Sequence, residues 1–187
     1  EKERYEKRAK IKSDKVVERN IGIDSVPLVF RAPYLFYISH LKSNITAQDK
    51  VLEIGAGTGE FSQTLIALAS DGTVTATDIS VASLQLLQQR FSNVANLETK
   101  VADMEALPFE DESFDVVCSA GSLSYGDNLV VMNEIFRVLR GGGKFICVDS
   151  LNHNPIYKVN RWIHYKRGNR TLGTLKSMPT MILIKGY

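Results

Sequence analysis

The chain has 187 residues, of which 44% are hydrophobic and 24% are charged, and these proportions favour one folded domain with an apolar core. No stretch reaches the roughly 18 to 20 consecutive apolar residues that a membrane-spanning helix requires, and the charged segment 1–15 does not resemble a secretion signal. We therefore expect a cytoplasmic protein without a membrane span.

The charged residues are unevenly distributed along the chain. All 21 acidic residues lie at or before Asp149, although the formal charge of the whole chain is +2. The segment 150–187 contains no acidic residue, and we expect it to form a basic segment on the acceptor side of the domain. Such a segment favours an anionic partner, although a solvated helix face gives the same pattern. Its basic residues are Lys158, Arg161, Lys166, Arg167, Arg170, Lys176 and Lys185.

Two cysteines are present, and each lies in an apolar run that is typical of a strand. Cys118 and Cys147 have neither the spacing of metal ligands nor the number that a disulfide framework needs. We expect both to be buried, unreactive thiols, and we predict no metal site.

The domain is expected to cover 1–187 in three parts. Residues 1–47 are predicted to form a helical arm or lid, in which Pro33 begins a helix that ends near Lys42, because proline suits the first turn of a helix. The aromatic side chains of this helix are expected to pack, with Tyr34 as the candidate for a ligand contact. A core over 48–149 and the basic segment follow.

Within the core, apolar runs typical of strands alternate with amphipathic runs typical of helices. Strands connected by helices form a parallel sheet that is covered on both faces, so the predicted fold is doubly wound α/β. The predicted strands are 50–54, 73–77, 97–101, 114–118 and 144–148, and the predicted helices are 58–69, 80–90 and 128–139. A further helix is predicted from Asn154 to about Lys166, and Ile156, Val159 and Ile163 form the side of it that is expected to pack.

Three glycines at a spacing of two residues follow the first predicted strand. Gly55 and Gly57 can adopt positive φ and allow the backbone to approach a ligand, and Gly59 allows the following helix to pack closely. The pattern is weak alone, because it also occurs in structural turns and in dinucleotide-binding enzymes.

Acidic residues stand near the carboxyl ends of three predicted strands, where ligands bind in α/β sheets. Glu53 precedes the glycines, and Asp78 follows the second strand, where its carboxylate can accept from both hydroxyls of a ribose. Asp103 follows the third strand and could accept from an exocyclic amine. One such acid is explained by helix capping, but three beside a glycine loop predict a pocket for an adenosine. Acids also repel phosphate, so the adenosine should carry a cationic substituent.

The order of motifs over residues 48–149 resembles that of the class I S-adenosylmethionine-dependent methyltransferases, in particular their type 11 branch. The resemblance implies a Rossmann-like sheet of order 3-2-1-4-5, with S-adenosylmethionine as cofactor and S-adenosylhomocysteine as product. The matching segments are the glycine motif 51–59, Asp78, Ala102-Asp103-Met104-Glu105-Ala106-Leu107-Pro108-Phe109, Phe114-Asp115-Val116-Val117 and Leu139-Arg140-Gly141-Gly142-Gly143.

The same resemblance implies a role for each cofactor-binding residue. The methionine part would lie over Gly55, Ala56 and Gly57, with its amino group near Glu53 and with Ser119 and Ala120 close by. Asp78 would bind the ribose hydroxyls. Ile79 and Met104 would enclose the adenine, and Asp103 would accept from its amino group.

At its end the sequence departs from the family pattern. Members usually finish with two further strands, whereas this chain offers at most one candidate, 181–184, so we expect the last two strands to be incomplete. An exposed sheet edge would favour a homo-oligomer.

The acceptor is expected to be a small molecule, with O-methylation of a sugar or nucleotide-sugar as the finer hypothesis and an anionic acceptor as the class that the basic segment favours. A hydroxyl acceptor requires a general base, and His153, four residues after Asp149, is the candidate catalytic residue. The turn 119–125 lacks the motifs of nucleic-acid methyltransferases, which argues against that partner. Two alternatives remain open, an NAD(P)-dependent oxidoreductase and a non-catalytic cofactor-binding domain.

Overall fold

A computed structural model describes residues 22–149 and, within a later helix, Val159, Trp162, Ile163, Tyr165 and Lys166. The predictions for His153, for the strand at 181–184 and for the arm before Gly22 lie outside the described residues. The three-part division of the chain and the homo-oligomer stay predictions.

The described core is a five-stranded sheet of order β3-β2-β1-β4-β5, and its named strand pairs are all parallel. The predicted fold class and strand order are confirmed. Leu52 at the centre of β1 pairs with Thr75 of β2 and with Val117 of β4. The strands are β1 (Lys50–Ile54), β2 (Thr73–Asp78), β3 (Leu97–Val101), β4 (Phe114–Ala120) and β5 (Leu139–Val148).

Helices cover both faces of the sheet because successive side chains of a strand point to opposite sides. Val51 packs in the cluster that contains Leu41 and Leu65, whereas Leu52 packs in the cluster that contains Val131 and Ile135. The helices are α1 (Arg31–Asn44), α2 (Ser62–Leu68), α3 (Val81–Arg90) and α4 (Asn128–Val138), and short 3-10 turns occur at Gly22–Ser25, Leu28–Phe30 and Leu123–Tyr125.

Several predicted boundaries differ from the structure by one to five residues. The helix predicted from Thr58 begins at Ser62, because Gly59 has a φ of +84°, which is incompatible with a right-handed helix. Helix α1 begins at Arg31, two residues before Pro33. The N–H groups in the first turn of a helix have no acceptor within the helix, so a proline there costs no hydrogen bond. Strand β5 begins at Leu139, and its three glycines form an irregularity between the pairs Phe114–Leu139 and Val116–Lys144.

Both cysteines are free thiols in the described structure. Burial raises the pKa of Cys118 and raises that of Cys147 to about 11, with the nearby Asp149 carboxylate adding to the second effect. Both groups are therefore protonated at neutral pH and poor nucleophiles, as predicted. Cys118 is fully buried, whereas Cys147 is only partly so.

The prediction that Val159 packs against the domain is wrong, because its side chain is 57% exposed. Helical periodicity shows which residues share a side of a helix, but it does not show whether the domain covers that side.

Among the described residues, the helices are all too short or too polar to span a membrane.

Candidate functional site

The glycine loop after β1 has the backbone conformation that its sequence predicts. Gly55 and Gly57 have φ values of +66° and +58°, in the left-handed region that favours glycine. A Cβ atom on Gly55 would lie 2.3 Å from the Cβ of Ser122, and one on Gly59 would lie 2.8 Å from the ring of Phe91, just beyond α3. The loop is therefore in close contact with the residues after β4 and with the end of α3.

Two serine hydroxyls connect the loop after β4 to the end of β1. Ser122 Oγ donates to the carbonyl oxygen of Ile54 at 3.1 Å and lies 2.7 Å from Ser119 Oγ. Because the Ser122 proton is used on the carbonyl, Ser119 must be the donor to Ser122. Both side chains are buried, so this chain of hydrogen bonds fixes the two loops relative to each other.

Asp78, at the end of β2, holds the glycine loop from the other side. Its two carboxylate oxygens accept from the backbone N–H of Gly57 and of Ser80, each at 2.9 Å. Burial raises the pKa of Asp78, and the two backbone hydrogen bonds oppose that effect. A carboxylate has about four lone-pair positions, so both oxygens retain capacity to accept from a ligand.

A cavity of about 320 Å³ lies at the carboxyl ends of the strands, between the glycine loop and the loops after β2, β3 and β4. Its volume is in the range of small-molecule sites. Seven of the ten predicted cofactor residues line it: Gly55, Gly57, Asp78, Ile79, Asp103, Met104 and Ala120.

The other three predicted residues, Glu53, Ala56 and Ser119, do not line the cavity. Ala56 packs against Leu84 and Leu87 of α3, and Ser119 takes part in the hydroxyl chain. Glu53 is only 2% exposed and accepts from Ser62 Oγ at 2.5 Å. In this structure all three lie behind the loop, and their contact with a cofactor stays a prediction.

The burial of Glu53 has an electrostatic consequence. Removal from water raises the pKa of this carboxyl to about 8, and the negative charges of Glu60 and Asp78 act in the same direction. The hydrogen bond from Ser62 only partly offsets these effects. Glu53 is therefore largely protonated at neutral pH, and a cation brought close to it would favour its ionisation.

Sequence reasoning missed seven of the residues around the cavity. Tyr125 belongs to the turn 119–125 and Glu105 to the motif 102–109, and no ligand role was predicted for either residue. The full set is Ile54, Thr77, Ala102, Glu105, Gly121, Ser122 and Tyr125. All seven lie at strand ends or in loops. Their closeness in sequence to the predicted acids and glycines could have indicated that they line the same cavity.

Tyr34 of α1 reaches the edge of this cavity. Its ring stacks on Phe61, with the centroids 5.3 Å apart and the planes 12° from parallel. A Cβ on Gly121 would lie 3.4 Å from the Tyr34 hydroxyl, and Gly121 lines the cavity. A contact between Tyr34 and a ligand stays a prediction.

Among the described residues that line the cavity, the charged side chains are all acidic. Asp78, Asp103 and Glu105 contribute carboxylates, and the described residues of the wall include no lysine or arginine. The backbone N–H of Gly57 is occupied by Asp78, so it is not free to bind a phosphate. The wall therefore favours a ligand that combines hydroxyl groups with a positive charge.

Comparisons with known proteins agree with this geometry. The methyltransferase-domain family matches residues 52–147, about half of the chain. The demethylmenaquinone methyltransferase of Staphylococcus aureus strain MRSA252 is 32% identical over 120 residues, which are 63% of this chain and 50% of the relative. The chain thus spans about half the length of the curated relatives that it matches.

Two solved structures share the fold at low sequence identity. The YcgJ protein of a Bacillus species gives a TM-score of 0.66 at 20% identity, over 81% of this chain and 65% of its own. Phosphoethanolamine N-methyltransferase 1 of Haemonchus contortus, solved with phosphoethanolamine and S-adenosylhomocysteine, gives a TM-score of 0.57 at 22% identity. The match covers 82% of this chain and 34% of the Haemonchus contortus chain. From the family match, supported by the relatives and the fold, this chain belongs to the methyltransferase-domain family of class I S-adenosylmethionine-dependent methyltransferases.

Proposed function

We propose that this domain catalyses methyl transfer from S-adenosylmethionine to a small-molecule acceptor. The observation that carries the proposal is the convergence of the glycine loop and three carboxylates on one cavity. Membership of the methyltransferase family supports the same reaction and argues against the alternative of an NAD(P)-dependent oxidoreductase.

The residues of the cavity fit S-adenosylmethionine in their chemistry. Asp78 would accept from the ribose hydroxyls with the lone pairs that Gly57 and Ser80 leave available. Asp103 and the apolar side chains of Ile79 and Met104 would hold the adenine. The glycine loop and Ala120 would bind the methionine part, for which the absence of side chains at Gly55 and Gly57 leaves room. The S-adenosylhomocysteine complex of the Haemonchus contortus enzyme supports this choice of cofactor class.

When bound, the cofactor would supply an electrophilic methyl group on a positively charged sulfur. The chain's own task is to position the acceptor atom and to exclude water, which requires little acid–base help for an amine. A hydroxyl acceptor would need a base, and His153 is the proposed residue. The acidic wall around Asp78, Asp103 and Glu105 would stabilise the positive charge before transfer.

For the acceptor, the finer proposal is a sugar or nucleotide-sugar hydroxyl, and the basic segment 150–187 supports an anionic one. The named substrate class of the Staphylococcus aureus relative, a menaquinone precursor, is the competing candidate. These two classes differ in polarity, so one acceptor panel separates them.

Calorimetric titration with S-adenosylhomocysteine and with NAD⁺ tests the cofactor directly. We expect binding of the first and none of the second, and the reverse result would overturn the proposal. Turnover is then measured with methyl-labelled S-adenosylmethionine and a panel of UDP-glucose, glucose 1-phosphate and a naphthoquinol. Binding without transfer to any acceptor of a broad panel would instead support the non-catalytic alternative.

A further inference from the structure

The loops after β3 and β4 meet although their strands are far apart. In the sheet, β2 and β1 lie between β3 and β4, which places the strands about 14 Å from each other at the usual spacing of about 4.8 Å. Glu105 Oε1 nevertheless accepts from the backbone N–H of Asp127 at 2.6 Å. The two loops therefore span the ends of the intervening strands.

The loop after β4 also comes close to the loop after β3 at Gly126, where the residue has no side chain. A Cβ atom on Gly126 would lie 3.0 Å from Met104 Cε and 3.0 Å from Glu105 Oε1. A side chain at 126 would require these side-chain ends to shift by a few tenths of an ångström. Glu105 and Tyr125 both line the cavity, so the contact between the loops forms part of its wall.

Helix α4 fixes the outer ends of both loops. Asp127 caps this helix, with its Oδ1 accepting from the N–H of Leu129 at 3.0 Å. Further along α4, Glu134 Oε2 accepts from the N–H of Leu107 at 2.7 Å, and Arg137 donates to the carbonyl of Leu107 at 2.9 Å. Between these fixed ends, the Glu105 carboxylate provides a direct hydrogen bond from one loop to the other.

We propose that Glu105 is a positioning residue whose hydrogen bond to Asp127 holds Tyr125 at the cavity wall and slows the release of a bound cofactor. The inference rests on the proposed function, since the cofactor is taken to bind beneath the two loops. A hydrogen bond to a charged acceptor is stronger than a neutral one, which suits a contact that must persist at an exposed site.

Two substitutions separate this role from a direct contact between the Glu105 charge and the ligand. Glu105→Ala removes the acceptor, whereas Glu105→Gln keeps an oxygen that can accept from Asp127 and removes the charge. Glu110→Ala, an exposed glutamate outside the cavity wall, is the matched control. Amide hydrogen exchange at Asp127, followed by NMR without ligand, reports the hydrogen bond itself.

In Glu105→Ala we expect faster exchange at Asp127 and a dissociation rate of S-adenosylhomocysteine raised roughly threefold to tenfold, the effect of one lost hydrogen bond. Glu105→Gln, whose amide oxygen accepts a weaker neutral hydrogen bond, should restore part of both values, and Glu110→Ala should change neither. Unchanged exchange and release in Glu105→Ala, or equal damage in Glu105→Gln, would overturn the inference while cofactor binding persists. A wild-type chain that binds no S-adenosylhomocysteine would instead contradict the proposed function.

Discussion

The carboxylate of Asp78 accepts a hydrogen bond from the backbone N–H of Gly57, 21 residues earlier in the chain. The residue proposed to bind the ribose therefore also holds the loop that is proposed to bind the methionine part. Its removal would affect the two halves of the cofactor together.

Asp78→Ala should weaken S-adenosylhomocysteine binding by about 1 to 3 kcal/mol, because the ribose hydroxyls lose an acceptor and the glycine loop loses its support. Thermal unfolding should also shift to lower temperature, since two backbone N–H groups lose their partner. Calorimetry and a melting curve provide the two values. Asp103→Ala is the comparison: it loses one exposed hydrogen bond, from the N–H of Glu105, so it should weaken binding with a smaller change in melting. Unchanged affinity in Asp78→Ala would contradict the assignment.

The protonation of Glu53 should make the ligand-free protein less stable at alkaline pH. Its pKa is raised to about 8 in the folded state from 4.5, so the folded state binds the additional proton between these values. Stability should then fall as pH rises from about 4.5 to 8, by an amount on the order of 3 to 5 kcal/mol. Glu53→Gln, which is neutral at every pH, should flatten the dependence.

Urea unfolding at pH 5.5, 7 and 8.5 checks this expectation. The difference in free energy of unfolding between Glu53→Gln and the wild type should grow in favour of the variant as pH increases. Parallel pH dependences of the two proteins would show that Glu53 is ionised in the folded state.

Gly55→Ala should destabilise the fold by about 1 to 3 kcal/mol or more, because the added Cβ meets Ser122 and the positive φ disfavours alanine. In the double variant with Ser122→Gly, the steric part of the cost should disappear while the backbone part remains. A double-mutant cycle of unfolding free energies measures this coupling. Strictly additive effects would contradict the close contact between the two loops.

Arg137→Ala should lower the free energy of unfolding by about 1 to 3 kcal/mol. The guanidinium donates to Glu134, to Asp111 and to the carbonyls of Leu107 and Phe109, which no smaller side chain can reproduce. The hydrogen bond from Arg137 also lowers the pKa of Glu134. The contribution of this ion pair to the free energy of unfolding should therefore be lost as pH falls through the lowered pKa of Glu134. Arg137→Lys should recover only part of it, because a single ammonium cannot replace the planar fork. Full recovery by lysine would indicate that charge alone matters.

The sequence was most informative about the sheet and the residues at its carboxyl edge. Period-two alternation and glycine punctuation placed five strands, and a parallel sheet brings the carboxyl ends of its strands to one side. Asp78 and Asp103 could therefore be predicted as neighbours although 25 residues separate them. The acids were found because three of them stand at strand ends beside a glycine loop, whereas helix capping explains only one.

Contacts between loops could not be predicted in the same way. Nothing in the local pattern shows that Glu53 is buried against Ser62 and does not line the cavity, since that depends on how the sheet and α2 pack together. Gly55 is recognisable as a turn glycine, but its close contact with Ser122 joins residues 67 positions apart. The same holds for Glu105 and Asp127, whose loops are both hydrogen-bonded to α4 and to each other.

The hydroxyl chain from Ser119 through Ser122 to the Ile54 carbonyl has a thermodynamic consequence for ligand capture. These groups are hydrogen-bonded to one another within the chain, so folding itself sets the shape of this part of the cavity floor. The entropy of ordering that backbone is lost during folding, and association has less conformational freedom left to remove. Such preorganisation would let a small cofactor bind tightly with few contacts of its own.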